Sequence, residues 1–141
     1  MARRLATSNR ENARFGPPLA DICAEIEADR ATLEQVMREM KIRRDPFKPA
    51  GAWLAEKLGR LKFNGQLRGY SPLSRLVELE LLCIGVAGKE RMWNALEHTL
   101  GGGLEKFDFS QLAERAARQQ TRMRELHLDA TALAFPSLGR S

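Results

Sequence analysis

Histidine and cysteine are scarce in this 141-residue chain, which holds two of each. Neither Cys23 nor Cys83 has a further cysteine or a histidine at the short spacing that zinc sites use. Both lie among apolar residues in predicted helices, where a buried, reduced thiol is the usual state. The scarcity of these side chains predicts that the chain carries no metal and no cofactor.

The placement of the two histidines also argues against a di-iron carboxylate centre of the ferritin kind. Such a centre needs a glutamate three residues before a histidine on each of two helices. Ala95 occupies that position ahead of His98, and Arg124 occupies it ahead of His127. A helical bundle with this sequence therefore lacks the ligand pattern of that metal pair.

Residues 85–89, Gly-Val-Ala-Gly-Lys, lack two features of a phosphate-binding loop. That loop has a glycine five residues before the glycine of its Gly-Lys pair, and a serine or threonine after the lysine. Cys83 and Glu90 occupy those places. No serine is paired with a histidine in the arrangement that activates a nucleophile. We therefore predict no catalytic residue, and whether the protein is an enzyme stays open, with binding favoured.

Aromatic residues make up only 6% of the chain, whereas leucine, alanine, glutamate and arginine are abundant. This composition favours helices over strands. No apolar run approaches the roughly 20 residues of a membrane-spanning helix, and residues 1–16 lack the apolar core of a secretory signal. These absences predict an α-helical, cytoplasmic protein that does not contact membranes.

The net charge is +5, and the positive excess lies in two segments, residues 1–16 and residues 45–75. The second segment interleaves basic residues with Phe63 and Tyr70, a mixture that suits the stacking of nucleic-acid bases. Basic patches of this kind also occur on inert surfaces, so nucleic-acid or polyanion binding is an alternative hypothesis. Its candidate residues are Lys57, Arg60, Lys62, Arg68 and Arg75.

Apolar spacing predicts four helices. The first spans about residues 17–43 and repeats apolar residues every three or four positions, which is the seam of a helix that packs against partners. A second, short helix spans about residues 50–61, and residues 62–70 form an ordered loop after it. Because the second helix is too short to return the chain along the first, we expect this loop to complete the return path.

The third and fourth helices are predicted from their starts as well as from their spacing. Ser71-Pro72 combines a capping side chain with a proline that suits the first helical turn, and this helix continues to about Thr99. Ser110 is the predicted cap of the fourth helix, which stops near residue 135. The economical fold is an antiparallel four-helix bundle over residues 17–135. Residues 1–16 are predicted to be a mobile basic arm, and residues 136–141 a frayed tail.

Two polar residues interrupt the apolar seams. Asp29 replaces an apolar residue in the first helix, and Gln119 does so in the fourth. A buried carboxylate needs a partner, so the two side chains either fix the register of the helices or line a small-molecule pocket.

Several short motifs lie in residues 58–93, LGRLKFNGQLRGYSPLSRLVELELLCIGVAGKERMW. They are Leu-Lys-x-Asn-Gly, Ser-Pro-Leu-Ser-Arg, Glu-Leu-Glu, and Gly-Lys followed by a tryptophan. In these motifs the chain resembles an uncharacterised bacterial family of small helical-bundle proteins, and in shape it is loosely similar to ferritin-like bundles without the metal ligands. The resemblance implies a helical bundle and no particular activity.

The leading functional hypothesis is a non-catalytic adaptor or scaffold that binds protein, including a second copy of itself as a homodimer. It rests on two long apolar seams together with the lack of a catalytic or metal-binding pattern. Polyanion binding through residues 57–75 and the N-terminal arm is the alternative, and a pocket at Asp29 and Gln119 is a further one. The sequence names neither the partner nor the pathway.

Overall fold

The computed structural model describes residues 1–41, 70–100 and 102–136, and these residues form four helices and no strand. Helix α1 spans Ala2–Asn9, α2 spans Gly16–Glu39, α3 spans Pro72–Leu100 and α4 spans Phe109–Ala134. None of these helices combines the length and the apolar character that are needed to cross a membrane.

The three long helices enclose one apolar core. Helices α3 and α4 form an antiparallel hairpin, in which Trp93 stacks on Phe109 at one end and the Gln120 side chain donates to the Cys83 carbonyl further along. Helix α2 runs antiparallel to α4, since Glu39 pairs with Lys106 at one end of the contact. The buried apolar residues are Leu5, Phe15, Leu19, Ile22, Val36, Leu79, Leu82, Val86, Trp93, Phe109, Leu112, Ala113, Ala116, Met123, Leu126 and Ala130.

The all-α helical bundle predicted from the sequence is confirmed, but its described helices are not the four that were predicted. The short helix over residues 50–61 and the ordered loop over residues 62–70 lie outside the described residues, except for Tyr70. The remaining described helix is α1, which lies in residues 1–16, the segment predicted to be a mobile basic arm.

Helix α1 corrects that expectation for residues 2–9. Ala2, Leu5, Ala6 and Asn9 repeat at helical spacing on one face, with Leu5 and Asn9 buried and the two alanines packed against the core. Apolar spacing alone does not predict this helix, because only one of these side chains is large and apolar. An eight-residue helix has little stability of its own, so its contacts with the bundle hold it in place.

Helix α2 begins at Gly16, with prolines in its first turn as predicted. It ends at Glu39, a few residues before the predicted end, because Lys41 adopts the left-handed backbone conformation at φ 54°. A residue in that conformation just after a helix stops its hydrogen-bond ladder.

The start of α3 is confirmed, whereas the cap of α4 is a different residue from the predicted one. The Ser71 hydroxyl accepts from the Ser74 amide at 3.1 Å, and Pro72 is the first helical residue. In α4 the Asp108 carboxylate accepts from the Gln111 amide at 2.8 Å, so Asp108 is the cap and Ser110 already lies in the first turn.

Glycine has opposite consequences at two positions. A Cβ added at Gly16 meets the Arg10 carbonyl oxygen at 2.7 Å, whereas one added at the exposed Gly85 meets nothing within 4 Å. We expect Gly16→Ala to lower the free energy of unfolding by about 1–3 kcal/mol through overpacking against backbone. The matched change Gly85→Ala raises it by about 0.5–1 kcal/mol, because alanine is the better helix former. Urea unfolding followed by circular dichroism measures both, and equal effects would contradict the prediction.

Candidate functional site

Asp29 and Gln119 meet in the core through a third residue, Lys89. The Asp29 side chain is 1% exposed and Gln119 is fully buried. The Lys89 amine donates both to Asp29 Oδ2 and to Gln119 Oε1, so one side chain from each long helix reaches the same level of the bundle. The predicted polar core is therefore a connected set of three residues.

Further charged groups extend this set toward the surface between α2 and α4. The Arg115 guanidinium donates to Asp29 Oδ1. Gln119 Nε2 donates to Glu25 Oε2 at 2.8 Å, and Arg122 donates to the other Glu25 oxygen at 3.0 Å. We call Glu25, Asp29, Lys89, Arg115, Gln119 and Arg122 the polar cluster.

The electrostatics of the polar cluster balance burial against pairing. Burial lowers the pKa of the Lys89 amine, and the hydrogen bond and the charge of Asp29 oppose that shift. Both Asp29 oxygens accept from cationic donors, and the Gln119 amide uses its oxygen and its nitrogen within the cluster. Because these atoms satisfy one another, the arrangement fixes the register of three helices, and a ligand has to displace an existing bond to bind here.

Lys89 was missed as a core residue, although the sequence holds a signal for it. The buried seam of α3 contains Leu82, Val86 and Trp93, and steps of three and four place Lys89 in the gap of seven. Asp29 occupies a similar gap of seven in α2, between Ile26 and Leu33. The apolar residues of α3 lie on more than one side of the helix, so the sequence defines no single seam there, and Lys89 stands out only as part of the glycine-lysine segment.

Arg75, the only polyanion-binding candidate among the described residues, has an intramolecular role. Its guanidinium lies 4.5 Å from the centroid of the Phe15 ring and 5.7 Å from that of Tyr70. It also donates through Nε to the Asn9 side chain, whose amide nitrogen donates to the Tyr70 hydroxyl at 2.8 Å. Arg75 thus joins the N-terminal segment to the start of α3. Lys57, Arg60, Lys62 and Arg68 lie outside the described residues.

The arginines of residues 1–16 are likewise engaged by carboxylates. Arg3 pairs with Glu27 on α2, Arg4 with Glu78 on α3 at 3.0 Å, and Arg14 with Asp129 on α4. Arg10 lies 3.6 Å from its neighbour Glu11. The segment thus contacts each long helix through an ion pair, which reduces the positive charge it offers to a polyanion.

An open cleft of about 280 Å³ between α3 and α4 brings a thiol, an imidazole and a carboxylate together. His127 Nε2 lies 2.5 Å from Glu80 Oε2, and Cys83 lines the same cleft. Burial raises the pKa of the Cys83 thiol, and the charge of Glu80 adds to this. A catalytic thiol needs the opposite shift. Within residues 1–41, 70–100 and 102–136, no group of three or more histidine, cysteine or acidic side chains is placed to hold a metal.

The raised thiol pKa values predict slow alkylation of the folded chain. Burial raises the pKa of Cys23 as well as that of Cys83. Folding therefore disfavours the thiolates. The neutral thiols contribute stability that is fully present below the unfolded pKa of about 8.5, and this contribution is lost as the pH rises through the raised pKa of the folded chain. We expect iodoacetamide to react more slowly with the native chain than with the urea-unfolded chain at pH 8. An equal or faster native rate would contradict this.

The side of α3 that faces away from the core carries large apolar side chains. Leu73 is 48% exposed, Val77 36% and Ile84 61%. They follow one another at steps of four and seven residues, so they lie along one line of the helix, opposite the buried line of Leu82 and Val86. The exposed residues along this line, which we call the outer face of α3, are Leu73, Val77, Glu80, Ile84, Gly88, Arg91 and Ala95.

Within the polar cluster, Asp29 and Gln119 bond to neighbouring side chains, whereas the buried Arg115 Nε has no hydrogen-bond partner among the described residues. The cleft between α3 and α4 holds no activated thiol. The outer face of α3 exposes apolar side chains to solvent. Comparison with protein-family models, with curated proteins and with solved structures finds no match to this chain.

Proposed function

We propose that this protein is a non-catalytic adaptor or scaffold that binds protein, and that it assembles with a second copy of itself through the outer face of α3. The observation that carries the proposal is the exposure of Leu73, Val77 and Ile84 along one line of a long helix. Aligned apolar side chains of this kind are typical of protein interfaces. Homodimers with twofold symmetry are the commonest assemblies of soluble proteins.

The hydrogen bonds within the polar cluster support a non-catalytic function. Asp29 and Gln119 are bonded to Lys89, to Arg115 and to Glu25, so their polar groups serve the packing of the helices. Polyanion binding has less support, because Arg75 and the arginines of residues 1–16 already have partners within the chain.

Light scattering coupled to size-exclusion chromatography tests the proposal. We expect the wild-type chain to be a dimer at about tens of micromolar and Ile84→Lys to be a monomer, because a buried unpaired charge is costly. Met40→Lys, at the end of α2 and also exposed, is the matched control and stays dimeric. A wild-type chain that is strictly monomeric at these concentrations would sink the proposal.

A further inference from the structure

The outer face of α3 contains three pairs of residues that lie about equally far from position 86. They are Val77 and Ala95, Glu80 and Arg91, and Ile84 and Gly88. A twofold axis that crosses the helix there places Ile84 opposite Gly88 of a second copy, and Val77 opposite Ala95. The same axis brings Glu80 to the level of Arg91.

The chemistry of the opposed residues is complementary at each level. The N-terminal half of the line holds the large apolar residues and the acidic one, whereas the C-terminal half holds the small residues and the basic one. A Cβ added at the exposed Gly88 meets nothing within 4 Å, so no side chain covers the helix backbone there. In the antiparallel pair, the side chain over Gly88 is that of Ile84, which is the most exposed of the large residues of the face.

The charges favour the antiparallel orientation over the parallel one. Glu80 is held by His127 through one oxygen, Oε2. Its exposed carboxylate leaves Oε1 for a second cation. In an antiparallel pair that cation is Arg91 of the other copy, and the pair forms twice. In a parallel pair the two Glu80 side chains meet each other, as do the two Arg91 side chains, and like charges repel.

We infer that two copies of this chain pack antiparallel along α3, with Ile84 of each copy seated over Gly88 of the other and two Glu80–Arg91 ion pairs across the interface. The inference rests on the proposed function, since it specifies how that assembly is built. The segment from Val77 to Ala95 spans roughly 27 Å of helix at 1.5 Å per residue, which suits a concentration-dependent dimer formed by one helix from each copy.

Charge reversal tests this geometry in the full chain. We expect Glu80→Arg and Arg91→Glu each to abolish the dimer in light scattering at about tens of micromolar, because each places like charges opposite one another twice. The double variant Glu80→Arg/Arg91→Glu restores both pairs and returns to a dimer. An equimolar mixture of the two single variants also forms a dimer, since the ion pairs are then made between unlike chains.

The matched control is Glu97→Arg, an exposed acidic residue of α3 outside the outer face, which stays dimeric. Circular dichroism of each variant verifies that the helices are formed. If the wild type is a dimer and both single charge reversals dimerise as well as it does, the antiparallel geometry is wrong while the proposed function stands. A monomeric wild type overturns the proposed function itself, and the geometry with it.

Discussion

We expect Lys89→Met to lower the free energy of unfolding by about 3–5 kcal/mol, the range for breaking a buried ion pair. The Lys89 side chain is 14% exposed and bridges Asp29 and Gln119. Methionine fills a similar volume but donates no hydrogen bond. The Asp29 carboxylate then keeps only Arg115, and Gln119 Oε1 loses its donor inside the core.

Two further variants separate the pairing from the packing. Lys106→Met removes an equivalent lysine–carboxylate pair, with Glu39, at the surface and is expected to cost less than about 1 kcal/mol. Asp29→Leu/Lys89→Met removes both buried charges together, and we expect it to be more stable than Lys89→Met alone. Urea unfolding followed by circular dichroism compares the three. A loss for Lys89→Met no larger than that for Lys106→Met would show that the buried pair has no special role.

Trp93→Ala is the second large effect, with an expected loss of about 3–5 kcal/mol from the cavity that it leaves. Trp93 is fully buried and stacks on Phe109, with ring centroids 6.2 Å apart. Phe109 in turn stacks on Phe107, so the indole anchors the end of the bundle where α3 turns into α4. The loss is measured from the midpoint of urea unfolding by circular dichroism.

Trp93→Phe and Phe135→Ala are the controls for that measurement. Trp93→Phe keeps an aromatic ring and removes the indole N–H, which has no partner, so we expect a clearly smaller loss than for alanine. Phe135 is exposed just beyond α4, and its replacement by alanine changes stability by less than about 0.5 kcal/mol. Similar losses at Trp93 and Phe135 would contradict the packing described for this end.

Local signals predicted the elements that depend on the nearest neighbours in the chain. The Ser71 cap and the adjacent proline fixed the start of α3, and the repeat of apolar residues fixed α2 and α4. Helix α1 escaped prediction because two of its four inward residues are alanines, whose burial depends on what packs against them. Asp108 caps α4, whereas the sequence predicted Ser110. Both residue types suit a cap, and the backbone conformation determines which of the two is the first residue before the helix.

The sequence by itself determined that this protein is an α-helical bundle and that Asp29 and Gln119 belong to its seams. Both follow from the spacing of apolar residues along the chain, which has the period of a helix. Only the tertiary structure decided that Lys89 joins them and that Arg75 is held between Phe15 and Tyr70. It also decided which side of α3 faces outward. These are contacts between segments far apart in the chain, and a residue's partner across the bundle depends on the register in which whole helices pack.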